Sequence, residues 1–293
     1  MLCSLCPRKC NIDRTNKIGY CGVNEKIRVA RAAPHYWEEP CISGKNGSGT
    51  VFFSGCNLGC VFCQNYQLSH EAFGKDVTEY ELMKIFDNLI NKGVHNINLV
   101  TPTHYSHVLS KVLKEFNSPV PIVYNTSSYE TVEALKELDG LVDIYLPDIK
   151  YYDNEPALKY SKAKDYFLYA SEAVKEMYRQ VGDLIIDDNG IAQRGILIRH
   201  MLLPGNISQA VKIFNWVADN LSLDTYISVM RQYTPYGEAK NMSPIDRPIT
   251  AKEYKIAKQK IEEIGFENIY FQKKSSSDEI FIPDFNLEGV ENL

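Results

Sequence analysis

Three cysteines in one short run, Cys56, Cys60 and Cys63, have the residue type and spacing to do chemistry. The Cys-x₃-Cys-x₂-Cys spacing lets a single loop bring several thiolates to one inorganic cluster. Gly55 and Gly59 permit the backbone conformations that such wrapping needs. Three thiolates leave one iron of a four-iron cluster without a protein ligand, and an open position is typical of metal sites that bind substrate. The alternatives are a zinc site with a distant fourth ligand and three buried core cysteines.

The other five of the eight cysteines precede this run. Four of them, Cys3, Cys6, Cys10 and Cys21, lie close together, and Cys41 follows alone. Four thiolates at such spacing suit either a zinc ion or an iron–sulfur cluster. The sequence also leaves open ordered cysteines without a metal, a redox-labile pair, and a part in electron delivery. We therefore treat Cys3, Cys6, Cys10 and Cys21 as a candidate second metal site.

Composition bounds the class of protein. The chain has 293 residues, of which 44% are hydrophobic and 24% charged, as in ordinary globular proteins rather than disordered or fibrous ones. A net charge of −5 provides no basic excess for binding nucleic acid. The sequence has no apolar run of about 18 residues, so we expect no membrane span. We also expect no secretory leader and a reducing cytoplasmic location, where clustered thiols are typically metal or redox ligands rather than disulfides.

The remaining elements must position these residues, and strand-like and helix-like patterns alternate after residue 50. Strands are predicted at 50–53, 96–100, 120–124, 141–146, 195–198, 225–229 and 268–271. Helices are predicted at 78–92, 106–116, 128–138, 164–181, 208–220 and 251–264, the first with Thr78 as N-cap and Glu81 completing a capping box. This alternation predicts a parallel sheet with right-handed crossovers, either an incomplete barrel or an open doubly wound sheet.

Three segments are expected along the chain. Residues 1–49 form a Cys-rich amino-terminal segment, residues 50–272 the βα series, and residues 273–293 an irregular tail. The run from Gly44 to Gly49 is rich in glycine and predicts a flexible loop at the first boundary.

Polar residues follow the predicted strands at the points where the strands end. In parallel α/β folds the active site lies at the carboxyl ends of the strands, so these residues are the candidates for ligand binding. They are Thr101, Thr103, His104, Asn125, Thr126, Asp148, Lys150, Arg199 and His200. Simpler interpretations remain open: Asp148 and Lys150 could form an isolated ion pair, and His104 with His107 could lie in a solvated first helical turn.

The cysteine run resembles the motif of radical S-adenosylmethionine (SAM) enzymes, including the aromatic Phe62 just before the last cysteine. In that superfamily the three cysteines hold a [4Fe-4S] cluster, and SAM chelates the fourth iron. The resemblance implies that Cys56, Cys60 and Cys63 hold such a cluster. It also implies the superfamily's fold, an incomplete TIM barrel of about six βα units, here with a Cys-rich amino-terminal extension.

The strand-end residues resemble those of glycyl-radical-enzyme activases, in the branch of pyruvate formate-lyase-activating-enzyme-like proteins. Asn125-Thr126, Asp148-x-Lys150 and Arg199-His200 stand where the activases carry groups near SAM. The resemblance implies that these residues lie near SAM or an associated cation, and we expect the other strand-end candidates, Thr101, Thr103 and His104, to bind SAM as well. The chain departs from the activases at 101–104, where they have a Gly-Gly-Glu-like turn, and in the cysteine block before the motif.

The resemblance implies an oxidoreductase of anaerobic chemistry. The cluster would cleave SAM reductively to methionine and a 5′-deoxyadenosyl radical, which abstracts hydrogen from a substrate. The expected partners are a one-electron donor such as flavodoxin or ferredoxin and, as protein substrate, a glycyl-radical enzyme. The alternatives are a radical SAM enzyme for an unrelated protein or small molecule, and a non-catalytic iron–sulfur or zinc protein for electron transfer.

Overall fold

The computed structural model describes residues 2–272 and 283–291. The strands are β1 Ile27–His35, β2 Ser48–Phe53, β3 Lys75–Val77, β4 Ile97–Val100, β5 Ile122–Thr126, β6 Ile144–Pro147, β7 Ile185–Ile186, β8 Ala192–Met201, β9 Tyr226–Met230 and β10 Ile269–Phe271. The helices are α1 Pro40–Ser43, α2 Tyr66–Ser69, α3 Glu79–Asn91, α4 Ser106–Glu115, α5 Val132–Lys136, α6 Asn154–Ser161, α7 Tyr166–Val181, α8 Ile207–Asn220 and α9 Ala251–Glu262, with short 3₁₀ turns at Thr103–Tyr105 and Gly237–Asn241.

The strands form one sheet in the order β10-β9-β8-β6-β5-β4-β2-β1-β3, and β7 pairs only with β8. Neighbours from β2 through β10 along this order are parallel, whereas β1 is antiparallel to both β2 and β3. Among the described residues, no pairing joins β10 to β3, so the barrel is incomplete. This confirms the predicted α/β class and partial barrel.

Local sequence explains the helices that cover the outer face. Thr78 accepts a hydrogen bond from the Glu81 amide and the Glu81 carboxylate bonds back, so the predicted capping box starts α3. The buried side chains of α3, Leu82, Ile85 and Phe86 among them, recur at helical spacing and pack onto the strands. Burial of this apolar stripe packs α3 against side chains of β1, β2 and β4.

Parts of the first 50 residues are regular structure. The amino-terminal segment contains β1. Its apolar and polar residues do not alternate regularly, because a register shift falls between Val29 and Arg31. The run 44–49 is predicted to be a flexible loop, but Ser48 and Gly49 begin β2, where both pair with β1 and Gly49 also pairs with β4. The predicted helix at 128–138 is also shorter, because Ser128 has a positive φ of 63° and the helix begins only at Val132.

The segment between β1 and β2 fills the inside of the barrel. Helix α1 packs Cys41 and Ile42 against inward-facing side chains of β5, β6 and β8, including Val123, Ile144 and Leu197. The domain boundary predicted between residues 49 and 50 stays a prediction. Residues before it, Cys41 and Ile42, nevertheless pack inside the barrel formed by the residues after it.

The predicted tail, residues 273–293, lies partly outside the described residues. Its described part runs beside β1, where the Ala32 amide donates to the Glu288 carbonyl and the Leu287 amide donates to the Ala30 carbonyl. Phe285 packs edge-on against Phe52 at a ring distance of 5.4 Å. No helix among the described residues is long and apolar enough to cross a membrane.

Candidate active site

A cavity of about 310 Å³ lies at the carboxyl ends of the parallel strands. The cysteine run after β2 forms one side of it, and polar residues from the ends of β4, β5, β6 and β8 form the floor. Its lining includes Cys56, Cys60, Cys63, Thr101, Asn125, Thr126, Asp148, Lys150 and Arg199. The structure therefore brings the three motif cysteines together with six of the nine strand-end residues predicted to bind SAM.

Main-chain contacts shape the cysteine loop. Gly55 has a φ of +86°, and a Cβ at this position would lie 2.5 Å from the carbonyl oxygen of Cys21, so only glycine fits. The same Cys21 carbonyl accepts a hydrogen bond from the Cys56 amide at 3.0 Å. Within the loop, the Leu58 amide donates to the sulfur of Cys56 at 3.4 Å. The loop thus turns at Gly55 and presents its sulfurs to the cavity.

The loop's far side rests on the end of α6. The Gly59 amide donates to the Ser161 carbonyl at 3.2 Å, and the Val61 amide donates to the Tyr160 carbonyl at 2.9 Å. The Ser161 hydroxyl donates to the sulfur of Cys60 at 2.9 Å. A hydroxyl aimed at a ligating sulfur lowers the electron density on that sulfur, which tunes the potential of a bound cluster.

The chemistry of the donor set fits an iron–sulfur cluster. Burial raises the pKa of Cys60 to about 11, although the nearby Lys150 ammonium opposes this. Burial also raises the pKa values of Cys56 and Cys63, and in Cys56 the neighbouring thiols add to the effect. Three neighbouring thiols at one cavity, one buried and two half-buried, ionise together only when a cationic centre compensates their charge. Iron provides that compensation, so the residues present match the expected group.

The guanidinium of Arg199 organises the floor of the cavity. It donates to the Asp148 carboxylate at 2.8 Å and to the Asn125 amide oxygen at 2.7 Å. Burial opposes its charge, but Asp148 and the glutamates Glu39 and Glu38 outweigh this and raise the pKa of Arg199 above its ordinary value. Asp148 and Lys150 do form an ion pair, but the pair is not isolated, because Asp148 also pairs with Arg199.

Asp148 is held ionised between two cations. Its second carboxylate oxygen accepts a hydrogen bond from Lys150 at 2.9 Å. Burial alone would raise the pKa of Asp148, but Arg199 and then Lys150 lower it below its ordinary value. For Lys150, burial acts to lower the pKa and the Asp148 carboxylate raises it more. The floor consequently presents fixed charges of both signs, which suits a zwitterionic amino-acid group.

Glu38 is a site residue that sequence reasoning missed. Its carboxylate accepts a hydrogen bond from Arg199 at 2.7 Å, and its other oxygen accepts bonds from Asn125 at 3.1 Å and Asn98 at 3.4 Å. The residue precedes α1 and lines the same cavity. Glu38 lies outside every predicted strand end, so the rule that located the other site residues does not reach it. The signal in the sequence is the pair of adjacent carboxylates, Glu38 and Glu39, in an otherwise apolar stretch.

Three predicted SAM-binding residues are outside the lining of this cavity. His104 is buried and its Nε2 lies 2.8 Å from the Ser54 carbonyl, and burial lowers its pKa to about 3. His200 points its Nδ1 at the Ile149 carbonyl, and burial lowers its pKa to about 4. Both rings are neutral structural groups here, so the solvated first turn suggested for His104 is wrong.

Thr103, the third of these residues, belongs to a buried network behind the cavity. Its hydroxyl donates to Glu130 at 2.6 Å, and the Thr126 hydroxyl donates to the same oxygen at 2.5 Å. Burial raises the pKa of Glu130 to about 7, against the effect of the Thr103, Thr126 and Tyr124 hydroxyls. Glu130 therefore orients Thr126, which lines the cavity, without reaching the cavity itself.

The four cysteines of the candidate second metal site lie beside the cysteine loop, and none of them is in a disulfide. Within residues 2–272 and 283–291, no three His, Cys, Asp or Glu side chains are gathered around a position for a single metal ion. The second metal site therefore stays a prediction.

Comparison with known proteins agrees with this geometry. Residues 50–216 match the model of the radical SAM superfamily. The uncharacterized protein MJ0674 of Methanocaldococcus jannaschii is 31% identical over 278 residues, which cover 92% of this chain and 76% of that protein.

Solved structures share the fold at low identity. SuiB of Streptococcus suis, in a structure bound to S-adenosylmethionine, superposes with a TM-score of 0.50 and 11% identity over 74% of this chain. HydG, a maturase of the [FeFe]-hydrogenase, superposes with a TM-score of 0.50 and 16% identity over 78% of this chain. The alignments span 48% of SuiB and 53% of HydG, about half of each. From the family match, which spans more than half of its length, the chain belongs to the radical SAM superfamily and is an enzyme of that superfamily, whose members use a [4Fe-4S] cluster and S-adenosylmethionine.

Proposed function

We propose that this enzyme binds a [4Fe-4S] cluster at Cys56, Cys60 and Cys63 and cleaves SAM to abstract a hydrogen atom from its substrate. The observation that carries the proposal is that these three thiols, Cys60 buried and the other two half-buried, line one cavity together with Asn125 and Arg199. When bound, the cluster and SAM together supply the electron and the 5′-deoxyadenosyl radical.

The chain's own residues bind, orient and shield. Arg199 and Lys150 offer charged donors to a carboxylate, and Asp148 offers an acceptor to an ammonium group. Lys150 also lies near Cys60, where its charge offsets that of a thiolate. Phe62 packs edge-on against Tyr233 at 5.7 Å and covers one side of the loop. The apolar cover excludes water from a reactive intermediate.

The test is anaerobic reconstitution with iron and sulfide, followed by incubation with SAM and dithionite. We expect the wild type to form 5′-deoxyadenosine and the Cys60→Ala variant to form none. Cys41→Ala is the matched control, because Cys41 is also buried but lies in the barrel interior away from the loop. Fully loaded wild-type protein that forms no 5′-deoxyadenosine would refute the proposal.

The same preparation tests the electron-transfer alternative. A cluster with an open iron changes its electron paramagnetic resonance spectrum when SAM is added, whereas a fully ligated electron carrier does not. An unchanged spectrum therefore favours the non-catalytic interpretation. A physiological donor, flavodoxin or ferredoxin, should replace dithionite in the reaction.

For the substrate we propose a glycine residue of a partner glycyl-radical enzyme. The sequence resemblance at Asn125-Thr126, Asp148-x-Lys150 and Arg199-His200 supports this choice. Trp37 lines the cavity and is 57% exposed, so the cavity wall is continuous with an aromatic surface that suits a polypeptide.

The substrate proposal is tested with a glycyl-radical enzyme from the same organism, labelled with deuterated glycine. Transfer of deuterium into 5′-deoxyadenosine, together with a glycyl radical signal, is the expected result. Unlabelled 5′-deoxyadenosine from an active preparation would instead indicate another protein or a small molecule as substrate.

A further inference from the structure

The amino-terminal cysteines lie on two tight turns. In the first, the Cys3 amide donates to the Ile12 carbonyl at 2.8 Å, and the Lys9 amide donates to the Cys6 carbonyl at 3.0 Å. In the second, the Gly19 amide donates to the Val23 carbonyl at 3.1 Å. Cys3, Cys6 and Cys10 belong to the first turn and Cys21 to the second. The first turn thus contributes three thiols and the second turn one.

Contacts at Gly19 show that the sulfurs of the two turns are neighbours. A Cβ on Gly19 would lie 3.3 Å from the sulfur of Cys21 and 3.9 Å from the sulfur of Cys10. Electrostatic coupling links Cys21 to both Cys10 and Cys3, and Cys6 to both Cys10 and Cys21. All four thiols therefore share one neighbourhood.

Main-chain groups are directed at these sulfurs. The Tyr20 amide donates to the sulfur of Cys10 at 3.4 Å. The backbone of Arg8 hydrogen-bonds the thiol of Cys6 and acts to lower its pKa, whereas the thiol of Cys21 donates to the Val23 carbonyl at 3.8 Å. A backbone donor such as the Tyr20 amide stabilises sulfur that carries negative charge, as it does when it ligates a metal.

Apolar packing holds these turns only in part. Cys21 and Val23 of the second turn pack into the core, but Leu2, Ile18 and Tyr20 are 59%, 67% and 44% exposed. The isolated bridge between Leu2 and Asp13 is strand-like pairing within this segment. Short segments with a small core are usually fixed by disulfides or metals, and these cysteines are free.

We propose that Cys3, Cys6, Cys10 and Cys21 ligate a second metal centre of the four-thiolate class, which takes zinc or an iron–sulfur cluster. The sulfurs are neighbours rather than a closed single-ion cage. Ligation closes the two turns on each other, and the folding of this segment depends on it.

This centre fastens the loop of the first cluster. Arg8, between Cys6 and Cys10, donates to the Asn57 carbonyl at 2.8 Å and to the Lys162 carbonyl at 2.5 Å. Its guanidinium also lies 3.8 Å from the centre of the Tyr20 ring. Since Asn57 follows Cys56 directly, the first turn holds the cysteine loop against the end of α6.

The test uses the full chain with Cys56, Cys60 and Cys63 all changed to alanine, so that its result is independent of SAM chemistry. Zinc, iron and acid-labile sulfide are counted in protein grown with zinc and in protein reconstituted anaerobically with iron and sulfide. About one zinc per chain, or about four iron with matching sulfide, supports the proposal and identifies the metal. Absence of stoichiometric metal in both preparations overturns it.

Two further variants separate ligation from folding. Adding Cys21→Ser to the triple variant should abolish the bound metal, whereas adding Cys41→Ser should leave it unchanged. In the otherwise wild-type chain, Arg8→Gln should keep the second centre and lower the iron content of the cysteine loop at least twofold. Full iron content in Arg8→Gln would overturn the fastening role, and metal retained in the Cys21→Ser variant would overturn the ligand set.

Discussion

Replacing Glu38 by glutamine should weaken SAM binding without abolishing catalysis. Glu38 lines the cavity and pairs with Arg199, which is held in turn by Asp148 and Asn125. The substitution retains shape and an acceptor oxygen but removes the negative charge. We therefore expect the guanidinium of Arg199 to lose one of its fixed positions while the cysteine loop stays intact.

The magnitude follows from the burial of the pair. The side chains of Arg199 and Glu38 are 9% and 12% exposed, and their closest atoms are 2.7 Å apart. A hydrogen bond between charged groups contributes about 1.5–3 kcal/mol and a neutral one about 0.5–1.5 kcal/mol. The difference of about 1–1.5 kcal/mol corresponds to about five- to twelvefold weaker SAM binding. The lost negative charge acts in the same direction, because the sulfonium of SAM is cationic.

The assay is the dissociation constant of SAM for anaerobically reconstituted protein, with kcat measured at saturating SAM. A raised constant with kcat within about twofold of wild type is expected, because a positioning residue acts on binding. Glu115→Gln, an exposed glutamate on α4, is the matched control. Unchanged SAM affinity in Glu38→Gln would refute the reasoning, and so would a fall in kcat alone.

Four other substitutions, Gly93→Ala among them as a control, test the surroundings of the site. The pKa of Glu130 is raised to about 7 from an ordinary 4.5, so the folded protein holds this proton more tightly than the unfolded chain does. The free energy of unfolding should therefore fall by about 3 kcal/mol as the pH rises from about 4.5 through 7. Denaturant titrations of Glu130→Gln should show that this pH dependence is lost. Gly55→Ala should destabilise the chain by about 2–4 kcal/mol and lower iron content, because its Cβ meets Cys21. Gly93→Ala, with similar φ and open space, should cost only about 1 kcal/mol by thermal unfolding. Ser161→Ala should make the cluster potential more negative in a redox titration.

The parallel part of the fold could be predicted because its signals are local. The helix at 79–91 has both a capping box and a helical apolar stripe, and strand β4 is a short apolar run before a polar turn. Strand β1 was missed because its register shift breaks alternation. A register shift in the middle of a strand interrupts the alternation of its two faces. The sequence then lacks the period-two pattern by which a strand is recognised.

Some residues of the site could be predicted from the sequence and others could not. Asn125, Asp148 and Arg199 were predicted because the end of a parallel strand is a place that sequence alone can locate. Glu38 could not be found by this rule, since it enters the cavity from the side, on a segment that folds into the barrel interior. The histidines lie outside the cavity lining for a different reason: a strand-end position does not say which way a side chain points, and the Nδ1 of His200 faces the Ile149 carbonyl.

The amino-terminal segment completes the site rather than standing apart from it. The Cys21 carbonyl bonds the Cys56 amide, and Arg8 bonds the next carbonyl of the loop. Glu38 reaches the opposite side of the same cavity and bonds Arg199. The cysteine loop and the polar floor are thus each supported by residues that precede the motif. Because rigid support decides how well a site holds its reacting groups, these residues have to be considered with the cluster ligands when the substrate is sought.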